Sequence, residues 1–223
     1  MHTLTMPISD AILASKALLH HVSTDDITPV VCHAAIVEHD GSQYLIATDR
    51  YSFGRFKLGT SDTFEGEVGQ MIPSAALDWV AKINLKGLRR PYAIGMTDSG
   101  YTVRYTWTPT DAPKGTELEV AIVFEGKPER AQTYDVYSGN FPPVVKLWRD
   151  GTVPGDPMSE VNLSHSSLAK VTADVLLFGG KGQSGAVQLQ FSADKNGKPS
   201  PVQYTLGAGD RWTAALQPNM KLR

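Results

Sequence analysis

The sequence predicts an α+β fold built from repeated units, each a helix followed by an antiparallel β-meander. Three observations predict it. Apolar residues recur at helical spacing in three separate segments. Turn-forming pairs such as Asp40-Gly41 and Asn196-Gly197 sit between β-rich runs. The order helix-then-hairpin returns three times along 223 residues, a length that suits one large domain or two compact ones.

The first unit opens on a strand over 3–6. After Pro7 a helix is expected over 9–22, with Ile8, Ala11, Ile12, Leu18, Leu19 and Val22 on the apolar face and Lys16 and His20 on another. Thr28-Pro29 ends any helix. Strands over 30–38 and 43–48 flank Asp40-Gly41, and a third covers 52–58. In the second unit a strand over 67–72 leads into Pro73, a residue welcome at a helix start. The helix over 74–88 turns Leu77, Val80, Ala81, Asn84 and Leu88 to one face. Strands over 92–97 and 101–107 flank Asp98-Ser99-Gly100, and β-rich runs over 117–124 and 133–138 close the unit. Gly151, Pro154, Gly155 and Pro157 mark a linker over 151–158. It divides a domain over 1–150 from an abbreviated second domain over 159–223. That third unit starts with a short strand over 161–163 and an N-cap at Ser164. A helix over 167–178 follows, with Leu168, Val171 and Val175 inward. The glycine-rich stretch 179–185 ends it, and strands over 186–193, 202–206 and 211–216 complete the chain.

Composition narrows the function. Hydrophobic residues are 41% and charged residues 20%, enough for a core. One cysteine, Cys32, excludes an internal disulfide framework and a cysteine-rich zinc site, and it reads as a small core side chain. No apolar run approaches the roughly 20 residues of a membrane helix. The N-terminus lacks a secretion-signal pattern, so a cytoplasmic location is expected. A net charge of −2 excludes an all-over basic coat, but a local basic face stays open.

Catalytic patterns are weak. Cys32 and His33 are neighbours on an expected strand and point to opposite faces. His20 and His21 lie about 100° apart on a helix, with no third ligand at a metal-site spacing. The stretch 179–185 follows a helix and lacks the Gly-Lys-Ser/Thr ending of a phosphate loop. Asp194-Lys195-Asn196-Gly197 lacks the later glutamate of a calcium loop. We therefore expect no enzyme, no cofactor and no metal. Basic residues carry more information. Lys82, Lys86 and Arg89 fall at i, i+4 and i+7 with Arg90 beside them; Lys16 and His20 share the first helix; Lys170 and Lys181 belong to the third. Each group is either a solvated helix face or part of a phosphate-facing surface.

Five segments share one order. They are Ala47-Thr48-Asp49-Arg50-Tyr51-Ser52-Phe53 after a hairpin, the helix, Pro29 and strand before it, 68–77 leading into the second helix, Ser138-Gly139-Asn140-Phe141-Pro142-Pro143, and 216–223 at the end. Together they resemble the bacterial DNA polymerase sliding clamp, or beta clamp. The resemblance implies a clamp fold with helices on one face and antiparallel sheets on the other. It implies a processivity factor that encircles duplex DNA, with Lys16, His20, Lys82, Lys86, Arg89, Arg90, Lys170 and Lys181 facing DNA. Scattered cations give the loose, sequence-independent attraction that a sliding ring needs. It further implies a pocket for a short linear motif of a DNA polymerase or clamp loader. Its walls would be Thr48, Arg50, Tyr51, Phe53, Pro73, Leu77, Pro218, Met220 and Leu222.

Two departures are visible. Arg50-Tyr51 stand where the family has Gly-His, and the chain holds about one and a half of the family's three domains. A homo-oligomeric ring, with a trimer favoured, and a bacteriophage origin in a bacterial cell fit the short chain. The alternative is a non-ring, clamp-like adaptor that binds replication proteins without encircling DNA.

Overall fold

The computed structural model describes residues 1–85, 88, 100–110, 115–147 (the side chains of 146 and 147 excepted), 161–178, 187, 189, 191, 193, 196–206 and 211–218. Its strands are β1 (His2–Pro7), β2 (His33–His39), β3 (Ser42–Thr48), β4 (Ser52–Lys57), β5 (Thr63–Glu65), β6 (Met71–Pro73), β7 (Tyr101–Pro109), β8 (Thr116–Phe124), β9 (Lys127–Val136), β10 (Val202–Leu206) and β11 (Trp212–Leu216). Its α-helices are α1 (Ile8–Leu19), α2 (Ser74–Ala81) and α3 (His165–Phe178). This is the α+β class that the periodicities predict.

The strands form two antiparallel sheets, ordered β5-β1-β7-β8-β9 and β10-β11-β4-β3-β2-β6. The lead strand of each early helix crosses to the other sheet. β1 pairs with β7, Leu4 opposite Tyr105, whereas β6 pairs with β2, Ala35 opposite Met71. β11 pairs with β4, so the C-terminal hairpin extends the sheet begun by the first unit. The linker expected over 151–158 lies outside the described residues. The strand expected over 92–97 does too.

The core follows from alternation. In β7, Tyr101, Val103, Tyr105 and Trp107 are buried while the residues between them are half-exposed. α1 buries Ile8, Ala11, Ile12, Ala14, Ala17 and Leu18, and lies against β3 and β4 of one sheet, β7 of the other, and both other helices. One continuous apolar core runs from Leu4 to Leu216. Two hairpins close through paired left-handed residues, Asp40 (φ 47°) with Gly41 (φ 68°) and Glu125 (φ 48°) with Gly126 (φ 77°).

Several boundaries differ from expectation. α2 stops at Ala81 rather than 88, because Ile83 N–H bonds back three residues to Val80 O and tightens the chain out of the α-helix. Lys82, the first residue of the expected stripe, is therefore the C-cap of α2. Lys86, Arg89 and Arg90 lie outside the described residues. Residues Pro29–Cys32 form a 3₁₀ turn instead of strand, leaving Cys32 partly exposed, with its thiol 3.2 Å from Asp25 O. β9 begins six residues early, a charged edge strand exposed on both faces. α3 starts where Ser164 Oγ accepts from Ser167 N–H at 3.1 Å, but its inward face is rotated. Ser167, Val171 and Asp174 turn in, while Leu168 is 46% exposed. No helix among the described residues is long and apolar enough to cross a membrane.

Candidate docking groove and the buried junction beneath it

The turn between β3 and β4 is built by its own side chains. Asp49 Oδ1 accepts from Tyr51 N–H (3.1 Å), Ser52 N–H (2.7 Å) and Ser52 Oγ–H (2.9 Å). Thr48 Oγ1 donates to Ser52 O at 2.8 Å and accepts from Arg50 N–H at 3.1 Å. Closing so tightly forces Arg50 to φ 76°, a left-handed conformation that costs a side-chain-bearing residue roughly 1–2 kcal/mol. Its guanidinium is tied to Thr28 Oγ1. Arg50→Gly should therefore be about 1 kcal/mol more stable than Arg50→Ala in urea unfolding, because glycine alone adopts this backbone freely. Equal stabilities would contradict the turn geometry.

The turn forms one wall of a cavity of about 190 Å³, lined by Thr48, Arg50, Tyr51, Ser52 and Phe53. Pro142 and Val144 form a second wall. Pro201, Ala215 and Gln217, from the C-terminal unit, form the third. Gln217 N–H donates to Tyr51 O at 2.7 Å and fastens that wall to the turn. Four expected residues thus meet here: Thr48, Arg50, Tyr51 and Phe53. Pro73 and Leu77 do not: Pro73 pairs with His33 within a sheet, and Leu77 is a fully buried core residue of α2. Pro218 is buried and off the lining; Met220 and Leu222 lie outside the described residues. Sequence reasoning missed Ser52, Val144, Pro201, Ala215 and Gln217. Ser52, Pro142 and Gln217 lie within segments that carry the resemblance, although none was assigned to the pocket; Val144, Pro201 and Ala215 had no signal.

Beneath the groove, Asp174 of α3 has no exposed surface. It accepts from His20 Nδ1 (2.6 Å), Tyr204 O–H (2.7 Å), Trp212 Nε1–H (2.8 Å) and His21 Nε2 (3.2 Å). Burial opposes its ionisation, but the bonds from His20, His21 and Tyr204 prevail and hold its pKa at about 2. Burial lowers His21, outweighing its attraction to Asp174. His21 Nδ1 continues the chain to Ser52 Oγ at 3.0 Å. Lys170 Nζ donates to that same oxygen at 2.7 Å and to Asp49 Oδ2. Ser52, His21 and Asp174 line up in the order of a hydrolytic triad, but Ser52 Oγ also lies 2.9 Å from Asp49 Oδ1 and receives Lys170 Nζ at 2.7 Å, so the hydroxyl is shared between the junction and the turn.

The residues expected to face DNA therefore divide. Lys16 is exposed, and Lys82 is exposed with Nζ 2.6 Å from Asp78 Oδ2. His20 and Lys170 each turn toward a carboxylate of the junction, with side chains 29% and 19% exposed. The partner of His20 is the fully buried Asp174, and that of Lys170 is the half-buried Asp49. Lys181 lies outside the described residues. Among the described residues no group of three or more His, Cys, Asp or Glu is placed to hold a metal ion.

Solved structures similar to this chain include bacterial clamps. DNA polymerase III subunit beta from Borrelia burgdorferi aligns over 99% of this chain with a TM-score of 0.63 and 9% identity. The chain has the sliding-clamp fold. The DNA polymerase sliding clamp of Pseudomonas aeruginosa aligns over 98% with a TM-score of 0.60 and 11% identity. The C. crescentus beta sliding clamp aligns over 98% with a TM-score of 0.53 and 14% identity. This clamp-fold chain spans 64% to 66% of the length of those structures. No family model matches the sequence, and no curated protein does.

Proposed function

We propose that the protein is a clamp for DNA replication that tethers partner proteins through the groove at the β3–β4 turn. The supporting observation is the groove's position and make-up within a clamp fold. An apolar-walled cavity, with the exposed Tyr51 at its mouth, sits where the first and C-terminal units meet. Its size admits one or two side chains, which suits an extended peptide with Leu or Phe anchors. Double-stranded DNA, a DNA polymerase and a clamp loader are the partners this reading implies, bound by a homo-oligomer (trimer favoured) in a bacterial cytoplasm.

The test titrates a labelled hexapeptide bearing Leu and Phe anchors into the full chain. Tyr51 is 72% exposed, so Tyr51→Ala should weaken binding about tenfold, an aromatic hot-spot loss, and leave the unfolding midpoint unmoved. Absence of peptide binding by the unmodified chain sinks the groove reading. For the ring, retention on nicked circular DNA should exceed retention on the same DNA linearised, because a topological link slides off free ends. Equal retention sinks encirclement.

One observation favours the second reading, a clamp-like adaptor that does not encircle DNA. With His20 and Lys170 drawn into the junction, exposed cations on the described helices reduce to Lys16 and to Lys82 at the end of α2. Solution mass separates the two readings, since an adaptor stays monomeric at every concentration and does not distinguish circular from linear DNA.

A further inference from the structure

We propose that Lys170 is the positioning residue of the docking groove: from α3 it holds Asp49, and through Asp49 it fixes the turn that carries Arg50 and Tyr51. This rests on the peptide-docking reading above.

The carboxylate of Asp49 is shared between two jobs. Oδ1 takes three hydrogen bonds from Tyr51 and Ser52 and so shapes the turn. Oδ2 receives the Lys170 ammonium, contributed from 121 residues away in sequence. Lys170 also donates to Ser52 Oγ, at 2.7 Å, so one ammonium grips the turn at both its second and its last residue. Both members of the ion pair are mostly shielded, with side chains 19% and 21% exposed, and screening by salt is correspondingly weak. Burial opposes ionisation of Asp49, yet the bond and charge of Lys170 keep its carboxyl below the ordinary value.

The turn needs an outside hold. Arg50 sits at φ 76°, and left alone it would relax toward negative φ, swinging Tyr51 away from the cavity. Two groups from the C-terminal unit oppose that relaxation, Lys170 and the Gln217 N–H on Tyr51 O. The groove then has its working shape only while α3 is seated on the first unit. By reciprocity, a peptide in the groove stabilises that seating.

The test compares the full chain with Lys170→Met, which removes the charge, and Lys170→Arg, which keeps it. Backbone hydrogen exchange is read at Tyr51 and Ser52, with Val120 and Ile122 of β8 as distant references, and the same hexapeptide is titrated. Lys170→Met should speed exchange at Tyr51 and Ser52 about tenfold, as loss of a charge-assisted hydrogen bond predicts, and leave β8 unchanged. Peptide binding should weaken by a similar factor, and Lys170→Arg should recover most of both effects. Unchanged exchange at the turn overturns the proposal. Equal acceleration in the turn and in β8 also overturns it, because Lys170 would then serve general stability. If the unmodified chain fails to bind the peptide, the docking reading fails, while the exchange rates still decide whether Lys170 fixes the turn.

Discussion

Asp174→Ala is expected to destabilise the protein by about 3–5 kcal/mol, the cost of breaking a buried charged cluster by removing one partner. The carboxylate is completely buried and accepts from four donors on three other elements: His20 and His21 after α1, Tyr204 of β10 and Trp212 of β11. Alanine would leave the buried donors unpaired, each worth roughly 1–3 kcal/mol, with the total held down by relaxation and by water reaching His20. Ordinary domains hold only about 5–15 kcal/mol, so the variant would be close to unfolding at 37 °C. Urea unfolding measures it. A loss below about 1 kcal/mol would mean that Asp174 does not unite these elements.

The same cluster sets the pH response. Asp174 titrates at about 2 when folded against 3.8 in an ordinary setting, so its contribution is complete above the ordinary value and fades as pH falls toward 2. Asp49, also lowered, adds to this acid limb, whereas Asp62, raised by burial, subtracts from it. His21 and His33 are lowered by burial from 6.5, so below that pH protons go preferentially to the unfolded chain. The unfolding midpoint should therefore begin to drop as pH falls below 6.5 and drop more steeply in the acid range. His21→Gln should shrink the first limb without abolishing it. A midpoint that rises on acidification from 6.5 to 5 would contradict the burial of both histidines.

Gly54→Ala carries the second large effect, an expected loss of about 3 kcal/mol from overpacking. Gly54 lies in β4 between Ala47 of β3 and Ala214 of β11, and the Trp212 indole rests directly upon it. A Cβ there would stand 2.4 Å from the tip of that ring and 2.8 Å from His21 Cδ2. The indole cannot tip away freely. It stacks on Phe178 at 5.5 Å and 14°, and its N–H is bonded to Asp174 at 2.8 Å. A one-methyl change would thus push the C-terminal hairpin off the first unit. The double variant Gly54→Ala/Trp212→Leu should be less damaged than the sum of the two single changes, because leucine vacates the clashing space. Strict additivity in denaturant unfolding would show that the contact is not the cause.

The framework of strands and helices was legible because its core faces are apolar and periodic. Leu4 and Met6, the alternating face of β7 and the apolar side of α1 all declare themselves. The junction was not legible, for a definite reason. The inward face of α3 is carried partly by Ser167 and Asp174, so hydrophobic spacing turns the helix the wrong way and presents Leu168 as core. The ion pairs of Lys170 and His20 were hidden for the same reason, since charge in a sequence reads as solvent exposure until its partner is known. The groove was half legible. The residues around Asp49 form a local turn, but its opposite wall comes from Ala215 and Gln217, more than 160 residues further on. The extent of β9 was hidden because a charged strand exposed on both faces has no alternation to read.

The exchange of lead strands between the two sheets has a consequence for synthesis. β1 emerges first from the ribosome, yet β7, which pairs with it along its whole length, is encoded about a hundred residues later. Until then only the three-residue β5 is there to pair with β1, and Leu4 and Met6 have no full sheet to enter. The first unit therefore cannot close by itself, and at about 5–20 residues per second that interval lasts several seconds. Such long-range pairing slows folding and makes it all-or-none, since each half of the interlocked pair waits for a strand that the other half holds.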